Sequence, residues 1–279
     1  MPGRAWGFES PLAHSEVLPD LNPASRPGSL VPSTNEVNTV SLPPDRDTPP
    51  DDPGPRVGVP LIAEDVLLLL FQPDSGTIAG EGTLFYVLGG AVLTELALTD
   101  RVETESARLR RTLVRPVGDS PPSDDVLRSA WEYLGEKPRG IPTALAAIGP
   151  SLRGPLLDRL VARGDLRRTR RKRMGLFTTT ALEEGTTGRR AALLARVRAV
   201  LVDGVEPDAR TGPTAALVSA SGSLPVLHKE IPWTSPVITR AKDLERGDWG
   251  ADAASAALSR TVAATVVNAV VAVTGQPRS

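Results

Sequence analysis

The sequence predicts a mainly α fold: a single helical domain with a central bundle of apolar helices, amphipathic helices around it and a projecting basic β-hairpin. Three observations lead there. Residues 84–98, Leu84-Phe-Tyr-Val-Leu-Gly-Gly-Ala-Val-Leu-Thr-Glu-Leu-Ala-Leu98, are apolar on nearly every side, as in a helix enclosed by its neighbours. Residues 151–163 place apolar side chains at 152, 156, 157, 160 and 161, the spacing of an amphipathic helix. By contrast, Asp165-Leu-Arg-Arg-Thr-Arg-Arg-Lys-Arg-Met-Gly-Leu-Phe-Thr178 carries two β-like arms around a turn near residues 172–175.

The elements follow in order. Residues 1–56 hold 12 of the 27 prolines, eight acidic against four basic residues and no long apolar run. Such a stretch buries too little apolar surface to offset the entropy of ordering, so a disordered acidic tail is expected, with the domain over residues 57–279. Trp6 and Phe8 form a short docking motif or a stray aromatic pair in that tail. The start Met1-Pro-Gly-Arg-Ala-Trp-Gly-Phe8 has no apolar h-region, so no signal peptide is expected. Pro60-Leu-Ile-Ala-Glu-Asp-Val-Leu-Leu-Leu-Leu-Phe71 opens the domain as an apolar helix, with Glu64 and Asp65 in its first turn as partners of the helix dipole. A turn at residues 72–76 leads to the central helix, whose Gly89-Gly90 marks a close helix contact and whose Glu95 requires an arginine such as Arg101 or Arg260. Short strands or an irregular hairpin are expected over residues 101–117. Ser123-Asp-Asp125 caps a helix running to about residue 135, and a short helix covers about 143–148. Gly164 closes the amphipathic helix. After the hairpin come helices at about 187–201, around Ala215, at 235–244 and at 252–273, with a Ser- and Pro-rich linker before residue 235. The central and last helices are core helices, too short or too interrupted to span a bilayer.

Composition narrows the chemistry. The chain has 32 Lys+Arg against 33 Asp+Glu, no cysteine and two histidines, His14 and His228. Disulfide scaffolds, thiolate metal sites, iron–sulfur clusters and cysteine nucleophiles are excluded, and two histidines leave no room for a multi-histidine metal site. Gly80-Glu-Gly82 supplies only two glycines of a dinucleotide fingerprint, and no Walker lysine is present. His228 has no nucleophile-elbow motif beside it and reads as a surface or hydrogen-bonding histidine. Neither a catalytic residue, a metal ligand nor a cofactor site is expected.

Charge is uneven, however. Residues 153–173 contain nine basic and two acidic residues, a local +7 within a chain of net −1. Arg153, Arg163, Arg167, Arg168, Arg170, Arg171, Lys172 and Arg173 are the candidate headgroup-binding residues, and Met174, Leu176 and Phe177 the candidate membrane-inserting ones. Cations beside apolar side chains at a loop tip suit an anionic phospholipid surface, where each Lys or Arg contributes roughly 1 kcal/mol. The same run also reads as a solvated face. A helix followed by a basic wing equally suits a winged-helix nucleic-acid binder, and a projecting hairpin suits a homo-oligomerising scaffold.

Leu61-Ile-Ala-Glu-Asp-Val-Leu-Leu-Leu69, Gly90-Ala-Val-Leu-Thr-Glu-Leu-Ala-Leu98 with Asp100-Arg-Val102, and Leu156-Leu-Asp-Arg-Leu-Val-Ala-Arg-Gly-Asp-Leu166 before a hairpin resemble the Golgi phosphoprotein 3 family over residues 61–273. The resemblance implies a single helical domain with a projecting hairpin. It also implies recognition of phosphatidylinositol 4-phosphate by a peripheral, non-enzymatic adaptor with membrane-protein clients, through a tryptophan and several arginines. On an ungapped placement the tryptophan falls at Gly80 and the arginines at Gly89, Pro150 and Arg153, so only Arg153 matches. The Ala- and Arg-rich, cysteine-free composition resembles a bacterial-type member, cytoplasmic and held at the inner face of the membrane.

Overall fold

The computed structural model describes residues 58–107, 111–173, 177–247, 249 and 257–275. The expected disordered tail, residues 1–56, lies outside them, as do Met174 and Leu176.

Helix α1 (Ile62–Leu70) runs into strand β1 (Phe71–Gln72), which pairs with β2 (Thr77–Ile78) around the expected turn. Leu61, at the N-cap of α1, lends no side-chain cap, and the free Ile62 amide donates instead to Glu95 Oε2 at 2.6 Å. Glu95 comes from α2 (Leu84–Leu98), so a carboxylate from the central helix meets the positive end of α1. Around α2 pack α1, α4 (Ile141–Ile148), α7 (Thr211–Ala220) and α9 (Ala257–Thr274), which explains why α2 is apolar on almost every side. Gly89 and Gly90 are where neighbours come closest. A Cβ on Gly89 would stand 3.1 Å from the Leu145 carbonyl oxygen of α4, and one on Gly90 would collide with Val270 of α9.

Beside this bundle, β3 (Val102–Ala107), β4 (Arg111–Pro116) and β5 (Arg139–Gly140) form an antiparallel sheet in that order, giving the expected hairpin a third strand. Helix α3 (Asp125–Gly135) packs on β4; its N-cap is Asp124, whose Oδ1 accepts from the Val126 and Leu127 amides at 2.9 and 3.2 Å. A 3-10 turn (Gly149–Ser151) joins α4 to α5 (Arg153–Ala162), which ends at Gly164 with φ +80°. The hairpin follows as β6 (Leu166–Arg173) and β7 (Phe177–Glu184), then α6 (Arg189–Leu201), α7, α8 (Ser235–Glu245) and α9.

Two expectations change. Strand β6 continues to Arg173, so Lys172 and Arg173, expected in the turn, belong to the strand, and the rest of that expected turn lies outside the described residues. The supposed linker before α8 is a packed segment with a 3-10 turn (Leu224–Leu227), in which Leu224, Leu227 and Ile231 are buried. No helix among the described residues is long and apolar enough to cross a membrane.

Candidate functional site

Among the described residues the β6–β7 hairpin is a sheet of its own, joined to no other strand. Its antiparallel register segregates charge along its length. At the root, Arg167 stands opposite Glu183 and pairs with it at 2.8 Å, and Arg168 pairs with Asp158 of α5 at 2.5 Å. Further out, Arg170, Arg171 and Lys172 face Thr180, Thr179 and Thr178, and Arg173 faces Phe177. No acid lies on the partner strand across from these four cations. Arg170 is exposed and makes no ion pair among the described residues. The outer half of β6 thus carries four consecutive cations and no acid. Phe177 holds the first position of β7, next to the turn.

The other two candidate arginines are differently placed. Arg163 Nη2 donates to Glu64 Oε2 at 2.8 Å and Nη1 to the Gly58 carbonyl at 3.0 Å, while Nε lies 3.5 Å from Asp165 Oδ2. It belongs to a cluster that roots the hairpin in the helical bundle. Arg159 forks onto Asp124 at 2.6 and 3.1 Å, and Arg189 bridges Asp165 at 2.6 Å and Asp65 at 2.5 Å. Arg210 joins Asp65 at 2.9 Å to Glu95 at 3.1 Å and also donates to the Pro60 carbonyl. Glu64 is fully buried and Asp65 nearly so. A buried carboxylate needs paired, hydrogen-bonded cations, and these arginines supply them. The first-turn acids of α1 are therefore the centre of this cluster rather than mere dipole partners, and the arginine of Glu95 is Arg210 rather than Arg101 or Arg260. Burial pushes the Glu95 carboxyl above its ordinary pKa, opposed by Arg210 and the Ile62 N–H.

The sequence signal for this cluster was two adjacent acids inside an otherwise apolar run. Their partners, 95 to 145 residues distant along the chain, left no local trace.

Arg153 lies in a third place. Its Nη2 donates to Glu81 Oε1 at 2.8 Å, with both side chains about half exposed. Gly149 packs against the Phe85 backbone, and a Cβ on Gly89 would lie 3.5 Å from Gly149 Cα. The loop at Gly80 and Glu81, Gly89 of α2 and the start of α5 thus converge at one corner of the domain. Gly80 has φ +68°, and a Cβ there would come within 2.6 Å of the Ser223 hydroxyl. This backbone favours glycine and would strain a larger residue. The corner offers one cation, already paired with an acid.

A groove of about 1010 Å³ runs between α3 and α5, walled by Val126, Ala130, Ile148, Leu152 and Val161. Of the charged residues on its lining, Arg159, Asp158 and Arg168 are engaged in the pairs above, and Asp125 lies 3.8 Å from Arg128. His228 is exposed, with Nδ1 3.2 Å from the Pro225 carbonyl oxygen.

A helical bundle with this hairpin rooted beside α5 can be set against known families. The model of Golgi phosphoprotein 3 (GPP34) matches residues 62–261. The chain belongs to the Golgi phosphoprotein 3 family. The match runs from α1 into α9 and includes the hairpin, the ion-pair cluster and the Gly80–Arg153 corner. No curated protein matches the chain. Placed on this Golgi phosphoprotein 3 domain, Gly80, Gly89, Pro150 and Arg153 gather at that corner, but glycine and proline carry no guanidinium with which to fork onto a phosphate.

Proposed function

We propose that this Golgi phosphoprotein 3 family chain is a non-enzymatic peripheral membrane protein that binds anionic phospholipid headgroups through the outer half of its hairpin. One observation carries the proposal: Arg170, Arg171, Lys172 and Arg173 face threonines and Phe177 across the β6–β7 ladder, whereas Arg167 and Arg168 at the root are matched by Glu183 and Asp158. At the root each of these two cations is matched by an acid, whereas the partner strand offers none across from the outer four. Met174, Leu176 and Phe177, at and beside the turn, are the inserting residues in this proposal. Reversible attachment at the inner face of a membrane follows, since a few kilocalories of headgroup attraction plus one or two apolar side chains fall short of permanent anchoring.

Family membership favours phosphatidylinositol 4-phosphate among the anionic lipids, and an adaptor role with membrane-protein clients. In this chain that lipid is bound for its charge, because the Gly80–Arg153 corner supplies a single, paired arginine. Nucleic-acid binding is less well supported. The α5 helix that would serve as a recognition helix engages Arg159 with Asp124 and Arg153 with Glu81, and Arg163 beyond its end pairs with Glu64. Like charge on two hairpin tips also opposes direct self-association in the absence of anions.

Co-sedimentation with vesicles tests the proposal. The protein is expected to be retained on phosphatidylglycerol or phosphatidylinositol vesicles, poorly retained on pure phosphatidylcholine, and released from the former when residues 170–173 are all changed to Gln. Equal retention on charged and uncharged vesicles would overturn it, as would stronger binding to duplex DNA at physiological salt.

A further inference from the structure

The three described tryptophans differ in how they are satisfied. Trp131 Nε1 donates to the Arg101 carbonyl at 3.1 Å, and Trp249, which is buried, donates to the Leu244 carbonyl at 2.7 Å. Trp233 is 48% exposed, and its indole N–H makes no hydrogen bond among the described residues. In the same segment Val226 is 42% exposed. The described large apolar side chains that are more than about a third exposed are Val59, Val117, Val205, Val226 and Trp233, so two of them share the loop between α7 and α8.

That loop is firmly held. Leu224, Leu227 and Ile231 are buried beneath it, and the Ile231 amide donates to the Leu227 carbonyl at 2.8 Å. Pro225, Pro232 and Pro236 fix backbone φ on either side of the exposed residues. Trp233 and Val226 are thus presented from a pre-ordered platform, which lowers the entropy lost on binding.

The loop is also continuous with the hairpin. The stretch from Asp74 to Glu81 touches both: Gly76 lies against the Leu182 carbonyl of β7, Asp74 pairs with Lys229 at 2.8 Å, and Gly80 lies against Ser223. Glu81 adds Arg153 to the same edge at 2.8 Å. Hairpin root, Arg153 and the Trp233 loop lie along one connected border of the domain.

We infer that the α7–α8 loop is a second membrane contact, with the Trp233 indole in the headgroup–acyl boundary of an anionic bilayer and Val226 beside it. The inference rests on the membrane reading of the hairpin and adds a different kind of contact to it. Lys229 is paired with Asp74 and flanked by Glu230, so the loop contributes little net charge; its contribution is apolar. Tryptophan favours this depth because its ring is amphipathic, apolar over most of its surface with one N–H for the wet side. A bilayer is the better occupant on size as well. A specific protein interface needs roughly 800 Å² from each partner, more than two half-exposed side chains provide, whereas an interfacial anchor needs no complementary surface.

The test uses the full-length chain carrying Trp6→Phe, so that the tail contributes no indole signal, compared with the same chain also carrying Trp233→Phe. The difference between their emission spectra isolates Trp233. With phosphatidylglycerol vesicles, that difference should move to shorter wavelength and be quenched by brominated acyl chains. Trp233→Ser should weaken vesicle partition roughly tenfold, the effect of withdrawing much of one aromatic side chain from the boundary, with the melting temperature unchanged. If the vesicles retain the protein but the difference emission stays put and Trp233→Ser partitions as the parent does, the loop contact is refuted and the hairpin reading stands. If the vesicles retain neither parent nor variant, both are refuted.

Discussion

Arg163 separates a residue that holds the domain together from one that touches lipid. Glu64 is fully buried and its nearest cation is Arg163 at 2.8 Å, with Arg159 and Arg189 farther off at 3.6 and 3.9 Å. Arg163→Met removes that ion pair and the hydrogen bond to the Gly58 carbonyl while keeping similar apolar bulk. Breaking a buried pair from one side costs about 3–5 kcal/mol, and the two remaining arginines place this case near the lower end, about 3 kcal/mol. For a domain of this size, each kilocalorie moves the midpoint by about 2–4 °C, so Tm should fall by about 6–12 °C. Adding Glu64→Gln should restore a good part of that loss, because the uncompensated charge goes with it. Thermal unfolding followed by circular dichroism gives the stability, and vesicle co-sedimentation well below the midpoint gives the binding. Unchanged retention with the lowered Tm is the expected pair of results. An unaltered Tm together with retention reduced as far as in a hairpin-tip variant would refute the structural role and place Arg163 at the lipid.

Three further outcomes follow from the same geometry. Glu81→Gln frees Arg153 from its acid and should tighten binding to anionic vesicles by up to about fivefold, the worth of one additional available cation of roughly 1 kcal/mol, as read in a vesicle titration. Gly90→Val forces a side chain against Val270 and should cost about 1–3 kcal/mol in urea unfolding without altering vesicle binding. Burial raises the pKa of Glu95, so over the range between its unfolded and folded values the native state binds more protons than the unfolded one. The contribution of Glu95 to stability therefore grows as pH falls through its folded pKa. The stability of the parent minus that of Glu95→Gln should accordingly rise as pH drops from neutral toward the ordinary carboxylate range; a difference that falls instead contradicts the burial cause.

Much of the fold was legible because it is written in local periodicity. The all-round apolar run of residues 84–98 identifies the central helix, Gly89-Gly90 its close contacts, and Asp124 the start of α3. The two β-like arms within residues 165–178 identify the hairpin. Strands β1, β2 and β5 were not legible, since two residues are too few to show a period of two. The site was legible only in its outer half. A run of cations says nothing about which of them are matched, and that depends on register: Arg167 meets Glu183, whereas Arg171 meets Thr179. Arg163 and Arg153 look like the others in sequence, and only long-range packing turns one toward Glu64 and the other toward Glu81. Arg189 and Arg210 gave no signal, because a buried carboxylate sets the need for a cation without specifying which distant residue meets it. The loop bearing Trp233 resembled a linker because its Ser and Pro content masks the three buried side chains that anchor it.

The central claim is that lipid attraction resides in the tip of the hairpin and not in its root. Partition onto vesicles with a fixed fraction of phosphatidylglycerol, measured side by side for two variants, tests it most directly. Neutralising residues 170–173 removes four cations of roughly 1 kcal/mol each if all reach the surface and half that if two do, so partition should fall by about 30- to 1000-fold. Neutralising Arg167 and Arg168, which Glu183 and Asp158 already match, should change it less than about threefold. Equal losses from the two variants, or a larger loss from the root, would contradict the account.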